Sequence, residues 1–94
     1  MSDEQELMDF GMAMTETKLG SKVQRQGWNG KNMFVFYIPE VIFRADKPPL
    51  STIFPTGTKI KAEAHLMMRT ATGSIIPWLA SQSDVLATDW TLFE

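Results

Sequence analysis

The sequence contains no cysteine and a single histidine, His65. Without cysteine the chain has no disulfides, no thiolate metal ligands and no thiol nucleophile, a composition that suits a reducing compartment. A lone histidine is more often a structural residue than a base or a ligand. The spacing of histidine and acidic residues matches no metal site, and neither a P-loop nor a dinucleotide-binding glycine fingerprint is present. We therefore expect no catalytic residues, no metal and no cofactor.

Long apolar runs are also missing. No stretch approaches the roughly 20 apolar residues of a membrane span. The acidic N-terminal segment lacks the apolar run of a signal peptide. The net charge of −2 provides no strong basic field for nucleic acid. The sequence thus predicts neither a membrane nor a nucleic acid polymer as a partner, whereas a small anionic ligand needs only a few local donors.

Apolar side chains are abundant for a chain of this length. The 94 residues are 44% hydrophobic and include seven methionines and three tryptophans. A chain this small buries a modest core. This apolar supply exceeds what a monomer readily covers, and we expect a homo-oligomer. We predict a single domain over residues 1–94, with residues 1–8 as a flexible extension.

The most informative stretch is residues 25–31, where two glycines bracket Trp28 and Asn29 between two strand-like runs. Asn29 followed by glycine predicts a tight turn, because both residues tolerate a positive φ. A tryptophan beside such a turn either caps a core or stacks on a flat ligand. The residue types leave both roles open for Trp28.

An N-terminal helix is predicted to start at Asp9, a favourable N-cap residue. Phe10 begins its apolar stripe, which we interpret as a core face. Gly20 stands where a C′ glycine ends a helix. Ser2 with Gln5 offers an earlier capping box, which we regard as the weaker start.

Short strands account for most of the remaining chain. Residues 32–38 are the strongest strand because of their aromatic and β-branched content, and their nearly continuous apolar run predicts cover on both faces. Pro48 and Pro49 exclude a helix or a central strand, so we predict an ordered loop over residues 40–55 with a helical turn at 51–54. The predicted strands cover residues 22–25, 32–38, 59–62, 64–70, 75–77 and 89–93. The predicted fold class is therefore α+β: a small antiparallel sheet with one N-terminal helix and a short C-terminal helical turn after Ser81.

The candidate ligand site combines aromatic faces with polar donors. Tryptophan rings stack on bases, amide and carboxyl groups read ring edges, and cations meet phosphate. Residue types favour a core role for Trp78 and Trp90; Asp84 is also interpreted as a helix cap and Asp89 as a turn residue. An enzyme using Asp84, Asp89 and His65 for acid–base work is the weaker interpretation. The candidate ligand-binding residues are Arg25, Trp28, Asn29, Lys31, Met33, Trp78, Gln82, Asp84, Asp89 and Trp90.

Several short motifs resemble the Thoeris anti-defence proteins of the second type. The N-terminal half of that family is similar to residues 8–11, 26–31 and 33–34. Its C-terminal half is similar to residues 77–84 and 87–90. These motifs occur in the same order and at similar spacing over residues 9–93. The chain departs from the family at residues 12–14, where acidic and alanine-rich residues are more usual, and in the variable segment 41–55.

The resemblance implies a phage protein of the infected host's cytoplasm that acts as a sponge. Such proteins bind glycocyclic ADP-ribose, an immune signal of bacterial Thoeris defence, and hold it uncleaved. It also implies a homotetramer with pockets at subunit junctions, and in some members separate pockets for cyclic dinucleotides of CBASS defence. The family's tryptophan corresponds to Trp28, which is assigned a stacking role. Two alternatives remain: a protein–protein interaction module or host-protein inhibitor, and a hydrolase of the same signal.

Overall fold

The computed structural model describes residues 6–28 and 30–94. Its elements confirm the α+β class, with antiparallel sheets, an N-terminal helix and short later helices. Ser2, Gln5 and Asn29 lie outside the described residues. In chain order the elements are α1 (Phe10–Lys18), β1 (Val23–Arg25), β2 (Phe34–Ile38), β3 (Val41–Arg44), α2 (Leu50–Ile53), β4 (Lys59–Ala62), β5 (His65–Arg69), β6 (Ile75–Pro77), α3 (Gln82–Leu86) and β7 (Trp90–Leu92).

The main sheet has five antiparallel strands in the order β6-β5-β2-β1-β7. The central strand β2 pairs with β5 from Phe34 opposite Arg69 to Ile38 opposite His65. The turn between β5 and β6 contains Gly73 at a φ of 97°. β6 and β7 form the two edges, and β7 pairs with β1, so the N-terminal and C-terminal parts of the chain meet in one sheet.

Helix α1 forms where its capping signals placed it. Asp9 accepts a hydrogen bond from the Met12 N–H at 2.9 Å and so caps the first turn. Gly20 follows the C-cap Leu19 with a φ of 103°, and its N–H donates to the Thr17 carbonyl at 2.9 Å. Both predicted ends are therefore confirmed. The left-handed φ at Gly20 is a conformation that side chains disfavour.

The core lies between α1 and one face of the main sheet. Ala13 of α1 and Val23, Val35 and Trp90 of the sheet are completely buried and belong to one cluster. On the opposite face of β2 the side chain of Phe34 is only half-buried. Of the two predicted covered faces of β2, the α1 side completely buries Val35, and the opposite side leaves its residues partly exposed.

Met8 belongs to this core rather than to an extension. It forms an isolated antiparallel bridge with Trp90, in which the Met8 N–H donates to the Trp90 carbonyl at 2.8 Å. Its side chain is 8% exposed. Met8 is therefore part of the folded domain, whereas residues 1–5 of the predicted extension lie outside the described residues.

A second sheet is formed by β3 and β4 alone. The prediction of a loop over residues 40–55 was wrong at its start, because Val41–Arg44 is a strand. Pairing with β4 stabilises this strand, and Pro48 and Pro49 lie beyond the paired region, where they leave the ladder intact. The predicted helical turn is confirmed as α2. We call residues 41–62 the arm.

The predicted tight Asn-Gly turn centres on Asn29, which lies outside the described residues. β1 ends at Arg25 and β2 begins at Phe34, and among the described residues between them Asn32 is left-handed, with a φ of 63°. Gly30 is needed for space rather than for φ. A Cβ at Gly30 would collide with the Met33 side chain and lie 3.1 Å from the Ala71 Cβ.

Membrane insertion through a helix finds no support in the described residues. Among the helices within residues 6–28 and 30–94, none is long and apolar enough to cross a bilayer.

Candidate functional site

Three tryptophan rings converge beside the start of β7. The centroid of Trp28 lies 5.4 Å from that of Trp90, and the centroid of Trp78 lies 6.0 Å from it. Both pairs are edge-to-face, the arrangement that aromatic quadrupoles favour. Trp90 is completely buried, whereas Trp28 and Trp78 are half-buried. Trp90 is thus a core platform, and the other two rings keep part of their surface in contact with solvent.

Arg25, the last residue of β1, connects the start of the loop that carries Trp28 to the C-terminal segment. Its Nη1 lies 2.9 Å from Asp84 Oδ1, and its Nε lies 2.9 Å from Asp89 Oδ1. The second oxygen of Asp89 accepts a hydrogen bond from the Gly27 N–H at 2.9 Å. These bonds hold the residues just before Trp28 against the residues just before Trp90. We call Arg25, Asp84 and Asp89 the ionic latch.

Asp84 also completes the cap of α3, as predicted. Ser81 Oγ accepts a hydrogen bond from the Asp84 N–H at 3.1 Å, and Asp84 Oδ2 accepts one from the Ser81 N–H at 3.0 Å. This reciprocal pair is a capping box. The indole N–H of Trp90 donates to the Asp84 carbonyl at 3.0 Å. The helix, the latch and the buried tryptophan are therefore one connected unit.

The latch keeps both carboxyl groups ionised. Burial raises the pKa of Asp84, but hydrogen bonds from the Ser81 backbone and from the side chains of Arg25, Ser81 and Trp28 outweigh it, so the pKa lies below its usual value. Burial also opposes ionisation of Asp89, yet Arg25 and the Gly27 N–H lower its pKa overall. The hydrogen bonds that Arg25 donates to Asp89 and Asp84 raise the pKa of Arg25.

These shifts predict a pH dependence of stability. A carboxyl group with a lowered pKa in the folded state stabilises the protein above its unfolded pKa of about 3.9, and this stabilisation is lost as the pH falls through the folded pKa. Asp89→Asn should therefore be less stable than the native chain at pH 7, and the difference should shrink as the pH falls below about 4. Urea unfolding across this range measures it. Asp46→Asn, at an exposed arm position, is the control. A difference that is constant with pH would contradict the role of Asp89.

The other candidate residues differ in how far they are buried. Met33 is half-buried and packs against the core cluster. Lys31 and Gln82 are exposed. Asn29 lies outside the described residues. Arg69 supports the loop that carries Trp28 by donating from Nη1 to the Asn32 carbonyl at 2.9 Å.

The three acid–base candidates are not brought together. Asp84 and Asp89 meet at Arg25, whereas His65 lies at the start of β5, opposite Ile38, the last residue of β2. The ring Nδ1 of His65 lies 2.9 Å from the Glu63 carbonyl oxygen. Within the described ranges no group of three or more histidine, cysteine or acidic residues is arranged to hold a metal ion.

The ionic latch itself was not predicted from the sequence. Arg25 was assigned to phosphate, Asp84 to a cap and Asp89 to a turn, and no local pattern links residues 59 and 64 positions apart. Phe10 was predicted as part of a core stripe, and its ring centroid lies 5.9 Å from that of Trp90. The latch and the three tryptophans together form the candidate site.

A family model described as a Thoeris anti-defense 2-like domain matches residues 8–93. The chain belongs to this family. A curated relative named Thoeris anti-defense 2, from Bacillus phage SP01, is 38% identical over 88 residues. That alignment covers 90% of this chain and 93% of the relative.

The Thoeris anti-defense 2-like match spans every described element of the site. It begins at Met8, which bridges to Trp90, and it ends after β7. Membership in the family supports an anti-defence role in a phage. The family description names an anti-defence role and no catalytic activity.

Proposed function

We propose that the chain is a sponge that binds a cyclic nucleotide immune signal and holds it uncleaved. Glycocyclic ADP-ribose is the first candidate ligand, and cyclic dinucleotides of CBASS defence are further candidates. The proposal includes a homotetramer with pockets at subunit junctions, acting in the cytoplasm of the infected host. The observation that supports it most is the pair of half-buried rings, Trp28 and Trp78, held against buried Trp90.

The geometry suits stacking because the rings are supported from behind. Each edge-to-face contact with Trp90 fixes a ring without consuming all of its surface. A fixed ring loses little conformational entropy when a base stacks on it. Stacking on an aromatic side chain contributes about 1–3 kcal/mol per base. Sequestration of a dilute signal requires a Kd near 1 nM, which corresponds to about −12 kcal/mol, so further contacts must contribute.

Phosphate contacts come from residues other than Arg25 in this proposal. Two carboxylates occupy its guanidinium, and turning the guanidinium toward a phosphate would leave both carboxylates less well neutralised. We assign Arg25, Asp84 and Asp89 a positioning role, since they fix the approach to Trp28. Exposed Lys31, three residues after Trp28, is the candidate cation for phosphate in the same loop. Gln82 and Asn29 are candidate readers of ring edges.

The test is calorimetry with glycocyclic ADP-ribose and a set of cyclic dinucleotides. We expect Trp28→Ala to weaken binding by about 5-fold to 150-fold, the equivalent of one stacked base. Trp28→Phe should retain part of the affinity because it keeps an aromatic face. Leu79→Ala is the matched control, because Leu79 adjoins Trp78 and is 91% exposed.

Two outcomes count against the sponge. Unchanged affinity in a folded Trp28→Ala variant would remove the stacking role, with thermal unfolding as the test of folding. A new product peak in chromatography of ligand recovered by heating the complex would indicate a hydrolase. Intact recovered ligand together with tight binding supports sequestration.

A protein–protein interaction module is the second candidate function. It is favoured by exposed apolar side chains on the arm, among which Ile42 is 56% exposed and Ile53 is 67% exposed. Contiguous exposed apolar residues often mark interaction sites. Capture of a specific host protein by the nucleotide-free chain, together with no binding of any cyclic nucleotide, would support this function over the sponge.

A further inference from the structure

The turn between β5 and β6 is held together by its own hydrogen bonds. The Thr70 N–H donates to the Ser74 carbonyl at 2.8 Å, and the Gly73 N–H donates to the Thr70 carbonyl at 3.0 Å. The Thr70 hydroxyl lies 2.8 Å from the Ser74 hydroxyl and 3.1 Å from the Thr72 hydroxyl. Hydroxyl groups that bond within a turn stabilise one turn conformation. We call residues 70–74 the β5–β6 turn.

The β5–β6 turn lies against the loop that connects β1 to β2 and carries Trp28. A Cβ at Gly30 of this loop would lie 3.1 Å from the Ala71 Cβ, so the loop approaches the turn closely. The same Cβ would collide with the side chain of Met33, which packs against the core cluster. Gly30 therefore lies between the turn and a side chain of the core, and this position limits how far the loop can move.

Arg69 bonds the loop to the β5–β6 turn. Its Nη1 donates to the Asn32 carbonyl at 2.9 Å and to the Thr70 carbonyl at 3.2 Å. Asn32 has the left-handed φ of 63°, which residues other than glycine adopt rarely. Arg69 is also paired with Phe34, the first residue of β2. One guanidinium group thus connects the end of the loop, the turn and the sheet.

The loop is held at both ends, each time by an arginine. Arg25 binds two carboxylates at the start of the loop, whereas Arg69 donates to two backbone carbonyls at its end. Within residues 6–28 and 30–94, Arg69 forms no ion pair with a carboxylate. Trp28 lies three residues after Arg25 and four residues before Asn32, so both anchors act on the position of its ring.

We propose that Arg69 and the β5–β6 turn are positioning elements of the candidate site. They fix the end of the loop, and with it the face that Trp28 presents to a base. A ring that is fixed before binding loses less conformational entropy when a base stacks on it. The expected effect on affinity rests on the proposed function, whereas the effect on the Trp28 ring requires no ligand.

A direct contact with phosphate is the alternative role for Arg69, because guanidinium groups bind phosphate through charge-assisted hydrogen bonds. In that role Arg69 would change the affinity without holding Trp28 in the free chain. The positioning role predicts a change at Trp28 before any nucleotide is added. The two roles therefore differ in the ligand-free protein, where the test is made.

The test is fluorine NMR of the ligand-free chain labelled with 5-fluorotryptophan. The chain has three tryptophans, so three resonances are expected, and single tryptophan-to-phenylalanine substitutions assign them. Arg69→Met should shift or broaden the resonance of Trp28 and leave that of Trp78 in place. Arg69→Lys should produce a smaller change, because its ammonium still donates to a carbonyl but on a more flexible stem.

Arg44→Met is the matched control for Arg69→Met. Arg44 also donates to a backbone carbonyl, that of Gly57, at 2.9 Å, but it lies on the arm. This substitution should leave the Trp28 resonance in place. Thermal unfolding of each variant establishes that the compared chains are folded.

Gly30→Ala tests the same contact without changing Arg69, and it keeps the inference testable if Arg69→Met fails to fold. The added Cβ must displace Met33 or Ala71, so the Trp28 resonance should again move. Gly11→Ala is the control for this variant, because a Cβ there would meet Asp9 Oδ1 at an ordinary 3.6 Å.

Calorimetry with glycocyclic ADP-ribose measures the consequence for binding. We expect Arg69→Met to weaken binding by about 5-fold to 30-fold, the equivalent of one or two net hydrogen bonds. Two results would overturn the inference: a Trp28 resonance that stays in place in folded Arg69→Met, or an equal change in Arg69→Met and Arg44→Met. A loss of affinity without any change at Trp28 would assign Arg69 to phosphate instead.

The two measurements also separate this inference from the sponge. If the native chain binds no cyclic nucleotide, the sponge is wrong, while a Trp28 resonance that moves in Arg69→Met still supports the positioning role. If the native chain binds tightly and the Trp28 resonance stays in place, the sponge stands and the positioning role is wrong.

Discussion

Trp90→Ala is expected to lower the free energy of unfolding by about 3–5 kcal/mol, the usual cost of removing a large buried aromatic side chain. Trp90 is completely buried and contacts Phe10, Trp28 and Trp78 through ring edges and faces. A domain of this length has a total stability of about 5–14 kcal/mol. The substitution should therefore remove a large part of the stability, and ligand affinity should fall because both stacking rings lose their support.

Urea unfolding followed by circular dichroism measures this loss. Leu92→Ala is the matched control, since Leu92 lies two residues along the same strand and is 37% exposed. We expect it to cost about 1 kcal/mol, in keeping with its partial burial. Trp90→Phe should lie between the two, because it keeps a ring but loses the hydrogen bond to the Asp84 carbonyl. Equal effects at Trp90 and Leu92 would contradict the platform role.

Arg25→Met is expected to cost about 2–3 kcal/mol at pH 7. The change leaves Asp84 and Asp89 ionised without their shared cation, and an unpaired, partly buried charge is costly. We place the cost below that of a fully buried pair because the arginine side chain is 20% exposed. The loss should narrow below about pH 4, where the two carboxyl groups take up protons.

The matched control for this change is Arg44→Met. The Arg44 guanidinium donates to the Gly57 carbonyl at 2.9 Å and lies on the exposed arm. We expect Arg44→Met to cost about 1 kcal/mol or less. Tryptophan fluorescence should also shift to longer wavelength in Arg25→Met, since the loop holding Trp28 loses its anchor. A pH-independent loss, or no loss, would contradict the latch.

Local signals predicted the elements that local chemistry determines. Asp9 and Gly20 bound α1 because a side-chain acceptor and a left-handed residue act within one helical turn. The Ser81 and Asp84 capping box likewise starts α3. Residues 32–38 were predicted as a strand, and Phe34–Ile38 forms one because its apolar and β-branched side chains fit a central position.

The same local signals could not predict contacts between residues that are distant in the sequence. β3 exists because β4 returns beside it, and a three-residue apolar run before two prolines carries no sign of that partner. The left-handed φ of Asn32 and the close approach of Met33 to Gly30 depend on how the loop packs, so the turn signal at residues 29–30 did not reveal them. Arg25 contacts residues near the opposite end of the chain. Only the folded structure shows that two carboxylates already neutralise the charge of Arg25.

The pairing of Ile38 with His65 has a consequence for how such a chain can diverge. These residues lie directly opposite each other, so the excursion between them leaves and rejoins the main sheet at a single point. Loop-closure entropy grows only slowly with length. Insertions and deletions within this excursion therefore preserve the register of β2 with β5, and with it the tryptophan platform. The fold thus allows this excursion to change in length without moving the strands that hold the tryptophans.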